Sequence, residues 1–278
     1  MISIFKPKAF IEALAEGVEL MARHARLTWA MARRDMLSRH AGQFLGLFWI
    51  VGHPLFLTIL YVFIFGIVFK QRMGGTYELP LDYTAYILIG IIPWLTTSAI
   101  LSNSAMSVVS NSALVKQFNF SLEVLPAKDV VVGCVTWIVG MSVILIYVVM
   151  KTWSMHWIWL LLPIAFLLQI MMMLGLALAI SAVTVFLRDM KDFVTLFTTA
   201  GIFLIPSVYL PAWLPALFKP VIYLNPFSYM IWVYQDILYF GRFEHPYAWP
   251  VYAIFAISTF VFGYRIFRYL RPMFGGVL

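Results

Sequence analysis

Aromatic side chains are concentrated in residues 206–241, and their rings are well suited to contact a ligand. Tyr and Trp rings stack on sugar rings, and they also place an apolar body and a polar edge at a membrane surface. The sequence leaves both interpretations open for this stretch. Its Tyr and Trp residues are Tyr209, Trp213, Tyr223, Tyr229, Trp232, Tyr234 and Tyr239.

Residues for acid–base, nucleophilic or metal chemistry are sparse and scattered along the chain. The sequence has no G-x-x-x-x-G-K-[ST] phosphate-binding motif, no H-E-x-x-H motif and a single cysteine, Cys134. Asp236 is the one acid in a strongly apolar stretch, and we expect a solvated or hydrogen-bonded acid near the surface. We therefore predict no catalytic residue, no metal and no cofactor bound by this chain. If the chain moves a substrate uphill, the energy must come from another polypeptide.

The composition is that of a membrane protein. Of the 278 residues, 63% are hydrophobic and 11% are charged, and the mean hydropathy is +0.92. Soluble domains usually carry about 25% charged residues. We therefore predict an all-α polytopic membrane protein. We attribute the net charge of +7 to membrane topology, and we expect no nucleic acid as a partner because no RNA-binding module accompanies the basic residues.

Six apolar segments are long enough to be transmembrane helices, which need about 20 residues to cross about 30 Å of hydrocarbon. The predicted spans are residues 43–69, 83–108, 130–150, 158–187, 193–209 and 247–267. From the end of the fifth span onward, prolines at 206, 211, 215, 220 and 226 break the stretch 206–241 into pieces too short to cross. We predict that residues 210–241 form re-entrant helices on the outer side, with their backbone satisfied inside protein.

Two further segments are predicted to lie on the membrane surface. Residues 1–42 combine apolar residues at helical spacing with arginines and Trp29, which indicates an N-terminal amphipathic helix region at the cytoplasmic interface. Residues 43–278 follow as the six-span domain. Within that domain, residues 114–129 are too short and too charged to span, and we predict a short helix on the inner surface.

The distribution of basic residues predicts the orientation. With six spans, 14 of the 19 Lys and Arg residues fall on the side that holds both termini. Cytoplasmic loops carry the excess of Lys and Arg. Both termini are therefore predicted to be cytoplasmic, and residues 210–241 to lie on the outer side.

Several short motifs occur in a fixed order along the chain. RRDMLSRHAGQFLGLFWIVGHPL covers 33–55, NSALVKQFNFSLEVLPAKD covers 111–129, VFLRDMKDF covers 185–193 and YLNPFSYMI covers 223–231, before the ending FRYLRPMFGGVL. In order and spacing they resemble the permease subunit of type-2 ABC exporters of O antigen, capsule and teichoic acid polysaccharides. The resemblance covers nearly the whole chain. It departs from the family at His40, where Tyr is common, and at Asn119-Phe120-Ser121, which replaces a Phe-Pro-Arg-like core.

The resemblance implies an assembly in the bacterial cytoplasmic (inner) membrane. Two copies of the chain would pair, with two copies of a separate ABC ATP-binding subunit that holds the ATP and Mg²⁺. The pair would move a lipid-linked polysaccharide, such as O antigen or capsule, from cytoplasm to periplasm through a channel at the interface of the two copies. Membrane lipid surrounds such a protein, and the resemblance leaves open whether periplasmic or outer-membrane export proteins continue the path.

The resemblance also assigns residues to coupling with the ATP-binding subunit. Residues 111–128 would be the main coupling helix, and residues 26–41 a second contact. The candidate coupling residues are Arg34, Asp35, Asn111, Lys116, Glu123, Arg188 and Asp189. Lys116 and Glu123 are either salt-bridged or solvated surface charges. The pair Arg188-Asp189 is either a structural ion pair, a helix-turn device or a gate.

Aromatic residues are the candidates for the polysaccharide path. Tyr61 and Phe65 are one helical turn apart on the first span, and Tyr229 and Trp232 lie near the predicted exit. Rings of this kind stack on sugars without requiring one sequence. Ordinary packing against lipid or another helix is the alternative for each of them.

Three other functions remain open from the sequence. The first is a type-2 ABC permease for a small hydrophobic molecule or drug, which would share the fold and the coupling helices. The second is a membrane-embedded enzyme acting on lipid-linked sugars, which would need acidic or His clusters that this sequence does not show. The third is a structural membrane scaffold.

Overall fold

The structure is a computed structural model that describes residues 7–39, 42–46, 48–64, 81–117, 120–153 and 156–278. All regular secondary structure in these ranges is helical, as the composition predicts. The α-helices are α1 (Pro7–Arg23), α2 (Ala25–Arg39), α3 (Phe48–Val62), α4 (Tyr83–Ala105), α5 (Ser112–Gln117), α6 (Val124–Thr152), α7 (Leu162–Phe186), α8 (Met190–Gly201), α9 (Lys219–Leu224), α10 (Pro226–Gln235), α11 (Ala248–Leu270) and α12 (Phe274–Val277).

Four helical stretches are long and apolar enough to cross a membrane: Tyr83–Ala105, Val124–Thr152, Trp157–Phe186 and Ala248–Val277. They coincide with the second, third, fourth and sixth predicted spans. The helix α3 is a shorter apolar helix, and residues 65–69 of the first predicted span lie outside the described residues. The count of six spans therefore stays a prediction.

The predicted fifth span, residues 193–209, is helical over only part of its length. The helix α8 has 12 residues and ends at Gly201, which gives a length of about 18 Å, less than the hydrocarbon thickness. Pro206 follows, and its carbonyl accepts hydrogen bonds from the hydroxyl of Tyr86 (3.2 Å) and from Nε2 of Gln235 (3.0 Å). Because proline interrupts helical bonding, the turns after α8 use these side chains to satisfy the backbone.

The segment 210–241 consists of short helices, and α10 lies inside the protein. Residues Met230 to Tyr239 are all buried. A polar chain connects α10 to the neighbouring spans: the Tyr234 hydroxyl donates to Oε1 of Gln169 (2.6 Å), and Nε2 of Gln169 donates to the carbonyl of Pro93 (2.9 Å). These bonds give partners to buried polar groups on α4, α7 and α10. Its position relative to the membrane stays a prediction.

The spans α7 and α11 approach each other closely. A Cβ added at Gly263 would lie 1.9 Å from the carbonyl oxygen of Gly175, and a Cβ at Gly175 would lie 2.2 Å from the carbonyl oxygen of Thr259. Small residues permit such backbone contact between membrane helices. The two spans therefore form one closely packed pair.

Both described ends of the chain lie at the same end of the helix bundle, which we call the terminal end. There α1 packs against α11, and α2 packs against the first turns of α6. At the opposite end, the Asp82 carboxylate begins α4 by accepting from the amide of Ala85 (3.0 Å). It also accepts from the Tyr147 hydroxyl (2.5 Å) and lies 3.3 Å from Nζ of Lys151, which joins α4 to α6.

The segment 114–129, predicted as one short helix, is divided between two helices, and its placement at the inner surface stays a prediction. The helix α5 ends at Gln117, and α6 already begins at Val124. Pro126 lies in the first turn of α6, where the missing amide hydrogen costs no helical bond. The charges of Lys128 and Asp129, which suggested a solvated surface, are paired inside the protein (2.8 Å).

Candidate functional site

A cluster of charged side chains joins three helices at the terminal end. The Asp35 carboxylate on α2 lies 3.0 Å from the Arg39 guanidinium and 3.2 Å from Nζ of Lys128 on α6. The Lys128 ammonium also donates to Asp129, which is 2% exposed. Arg39 Nη1 reaches Oδ1 of Asn103 on α4 at 3.4 Å. Buried charges need such partners, and this cluster therefore fixes α2 against α4 and α6.

The Asp35 carboxyl group is held in its charged form. Partial burial opposes ionisation, but the positive charges of Lys128 and Arg39 outweigh that effect and lower the pKa of Asp35 below its ordinary value. Asp35 is therefore ionised throughout the physiological range. Its role in the structure is to accept hydrogen bonds from two cations.

A polar cavity of about 250 Å³ lies beside this cluster. The structure thus brings three predicted coupling residues, Arg34, Asp35 and Asn111, to one place. Arg34 is exposed, and Nδ2 of Asn111 donates to the carbonyl of Ser107 (2.7 Å). The cavity is lined by Met31, Arg34, Asp35, Ser38, Arg39, Asn103, Ser107, Ser110, Asn111, Lys128 and Asp129.

Glu123 is a buried, ion-paired residue at the same end of the bundle. Its side chain is 0% exposed, and Arg271 Nη1 donates to its carboxylate oxygens at 3.1 and 3.3 Å. The interpretation of Glu123 as a solvated charge is therefore wrong, and its partner is Arg271. Lys116 on α5 is exposed, and no described residue forms an ion pair with it.

Arg188 and Asp189 are both exposed at the turn between α7 and α8. The carbonyl of Asp189 accepts from the amides of Asp192 (3.0 Å) and Phe193 (3.1 Å), so the pair marks the start of α8. Within the described ranges the two side chains do not form an ion pair with each other. The structure thus favours the helix-turn interpretation over the structural ion pair.

Three residues form ion pairs that hold these sites together, namely Lys128, Asp129 and Arg271. The sequence analysis gave them no role. A signal was present for the first two, because a Lys-Asp pair stands directly before a long apolar run. No local pattern identified Arg271 as the partner of Glu123, which precedes it by 148 positions.

The opposite end holds the predicted exit residues. Asp236 is buried, so it is not solvated, but it is hydrogen-bonded as expected. Its carboxylate accepts from the amide of His245 (3.1 Å), lies 2.9 Å from Nδ1 of His245, and accepts from Nε1 of Trp249 (3.1 Å). These contacts fix the loop before α11 to the end of α10.

Trp232 does not line an open path in this structure. It is 1% exposed, because the His245 ring stacks on it at 5.3 Å and the rings of Tyr223, Tyr229 and Tyr247 surround it at 5.2 to 5.8 Å. Tyr229 is half-buried, and its hydroxyl donates to the carbonyl of Tyr223 (2.6 Å). Tyr223 and Tyr247 are more exposed than either predicted residue.

The other two predicted path residues are on the first span. Tyr61 is half-buried and packs against the main apolar core. Phe65 lies outside the described residues. Tyr229 packs against the same core, of which Trp232 is a member.

The side chains at these sites connect helices through ion pairs, hydrogen bonds and ring contacts. In the part of the chain that the structure describes, no three His, Cys, Asp or Glu side chains form a group that could hold a metal ion. The terminal end exposes charged side chains, among them Arg34 and Lys116. The opposite end offers aromatic rings.

Comparison with known proteins gives one family and several relatives. Residues 26–239 match the ABC-2 type transporter family. Two proteins of Klebsiella pneumoniae, each named O-antigen export system permease protein RfbA, are 26% identical over 250 residues, covering 89% of this chain and 93% of each relative. A protein of the same name from Myxococcus xanthus is 24% identical over 248 residues, covering 87% and 90%.

Proposed function

The chain belongs to the ABC-2 type transporter family, and we propose from this membership that it is the membrane subunit of an ATP-driven polysaccharide exporter. The substrate class is a lipid-linked polysaccharide such as O antigen. The observation that carries the proposal is the near full-length similarity to three proteins named as O-antigen export permeases. Four apolar membrane-length helices agree with such a role.

ATP hydrolysis is assigned to a separate ATP-binding subunit, two copies of which bind two copies of this chain. The contact surface is the terminal end, where Arg34 and Lys116 are exposed and Asn111 lies beside Asp35. The Glu123 side chain is buried, and it acts on this surface through its ion-pair partner Arg271. Exposed Arg188 and Asp189 at the α7–α8 turn belong to the same surface.

The polysaccharide path runs between the two copies, with both termini in the cytoplasm of the bacterial inner membrane. In this arrangement aromatic rings stack on successive sugars without selecting one sequence. Tyr61 and Phe65 would serve on the first span, and Tyr229 at the exit, where Tyr223 offers an exposed ring beside it. Trp232 would support these rings from the interior.

A type-2 permease for a small hydrophobic molecule has the same fold and is the alternative function. It is not favoured, because the relatives that align with most of the chain are named as O-antigen export permeases. A membrane-embedded enzyme acting on lipid-linked sugars would need acidic or His clusters at a membrane face, and the acids of this sequence are scattered.

The test is deletion of the gene, followed by fractionation and antibody labelling of the surface polysaccharide. Polymer that accumulates in the cytoplasm of cells with a bare surface supports the proposal, and deletion of the ATP-binding subunit should give the same result. Complementation with the intact gene is the control. Normal surface polymer in the deletion strain contradicts the proposal and favours the small-molecule exporter.

If polymer is lost from all compartments, the cause is either a defect in its synthesis or feedback on synthesis from blocked export. Transport by the purified complex in proteoliposomes then decides: ATP-dependent movement of the lipid-linked polymer supports the proposal, and its absence contradicts it.

A further inference from the structure

The C-terminal end of α11 carries two arginines that bind different surface elements. Arg268 forms an ion pair with Glu16 on α1, and Arg271 forms an ion pair with Glu123 just before α6. Glu16 and Glu123 are distant from these arginines in sequence. The end of the last span is therefore connected to the N-terminal helix and to the segment between α5 and α6.

The Arg271 contact is the better formed of the two. Besides the two bonds to the buried Glu123 carboxylate, Nη2 of Arg271 donates to the carbonyl of Phe120 at 3.2 Å. Charge-assisted bonds from a planar guanidinium fix orientation as well as distance. Arg271 thus holds residues 120–123, which lead directly into α6.

Apolar packing continues the same connection. Phe274 is fully buried, and its ring lies 5.5 Å from Phe267 on α11 and 6.2 Å from Phe186 on α7. Leu122 and Leu125 belong to the same apolar cluster. Arg271 and Phe274 therefore connect residues 120–125 with the pair formed by α7 and α11.

Movement of the end of α11 can be transmitted to the membrane-length helices α7 and α11. The pair α7–α11 is closely packed at Gly175 and Gly263, so a force on the end of α11 moves two spans together. Without the Arg271 contact, residues 120–123 are joined to this pair through apolar packing alone.

We propose that Arg271 is a positioning residue, which transmits movement of residues 120–123 to α11 and α7 when the ATP-binding subunit closes. The inference rests on the proposed function and deepens it. It assigns a coupling role to the C-terminal segment, residues 271–278, through Glu123 and Phe120.

The first test uses the complete complex, containing this chain and its ATP-binding subunit, reconstituted in proteoliposomes. For Arg271→Ala we expect the polymer exported per ATP hydrolysed to fall about tenfold, because the buried Glu123 carboxylate loses its cation. Arg271→Lys should recover part of the export because the charge is kept. Tyr269→Ala is the matched control, because that side chain is 65% exposed two positions away.

A double-mutant cycle separates this role from general stability. If Arg271 acts through Glu123, then Glu123→Gln combined with Arg271→Ala should lower the export ratio no further than Arg271→Ala alone. Additive losses overturn the proposal. An Arg271→Ala complex with the wild-type export ratio, or with export reduced only in proportion to the complex assembled, also overturns it.

A second measurement does not depend on the substrate. Spin labels at Ala113→Cys and Tyr269→Cys, in a chain carrying Cys134→Ser, report the distance between α5 and the end of α11. In the labelled chain that keeps Arg271, we expect ATP to leave this distance unchanged. In the labelled Arg271→Ala chain, we expect ATP to alter it. An unaltered distance in Arg271→Ala contradicts the inference. A wild-type complex that hydrolyses ATP without moving polymer contradicts the proposed function instead.

Discussion

The Lys128 ammonium on α6 lies 3.2 Å from the Asp35 carboxylate on α2 and 2.8 Å from the carboxylate of Asp129. One cation thus neutralises one half-buried and one buried acid. The contact joins α2 to the first turns of α6.

Replacing Lys128 with Met should destabilise the protein strongly. Asp129 would then be buried without a cation, and breaking a buried ion pair typically costs about 3–5 kcal/mol. We expect a lower midpoint of thermal unfolding for the purified protein. Lys116→Met is the control, because Lys116 is exposed and should leave the midpoint nearly unchanged. Equal midpoints for the two variants would show that the Lys128 pair contributes nothing.

The Asp35 contacts predict a dependence of stability on pH. Because the pKa of Asp35 is lowered in the folded state, its ionisation stabilises the fold above the unfolded pKa, which is about 3.9. That contribution is lost as the pH falls through the folded value. Asp35→Asn should therefore lower the unfolding midpoint at pH 7, and the difference from wild type should shrink as the pH falls below about 4. A difference that stays constant with pH would refute the assignment.

Adding a side chain between α7 and α11 should separate them. A Cβ at Gly263 would lie 1.9 Å from the Gly175 carbonyl oxygen, so Gly263→Ala cannot be accommodated without moving backbone. Overpacking of this kind costs about 1–3 kcal/mol. The measurement is the fraction of monodisperse protein extracted from membranes. Gly275→Ala is the matched control, because no atom lies within 4 Å of the added Cβ there.

The two aromatic residues proposed for the exit, Tyr229 and Trp232, should respond differently to truncation. Trp232→Ala removes a fully buried ring, and core changes of this type cost about 3–5 kcal/mol, so it should lower the amount of folded protein. Tyr229→Ala should leave the amount of protein unchanged and slow polymer export. Export per folded complex distinguishes the two cases. Unchanged export in Tyr229→Ala would contradict a stacking role for that ring.

Much of the helical frame could be predicted from the sequence. The apolar runs that became α4, α6, α7 and α11 are visible because a helix in lipid must be apolar along about 20 residues. The prolines after residue 205 predicted short helices for a local reason, since proline breaks helical bonding where it occurs. The helix boundaries at Gly201 and Val124 were missed, although Pro206 and Pro126 stand near them as local signals.

The sequence by itself therefore determined the class of protein, most of its membrane-length helices and the motifs of its family. These follow from composition and from patterns within a few turns of chain. Only the tertiary structure decided that Glu123 pairs with Arg271, that Lys128 serves two acids, and that Trp232 is covered by its neighbours. The physical reason is that ion pairing and burial depend on which distant segments approach one another, and each of these contacts forms only when the helices pack.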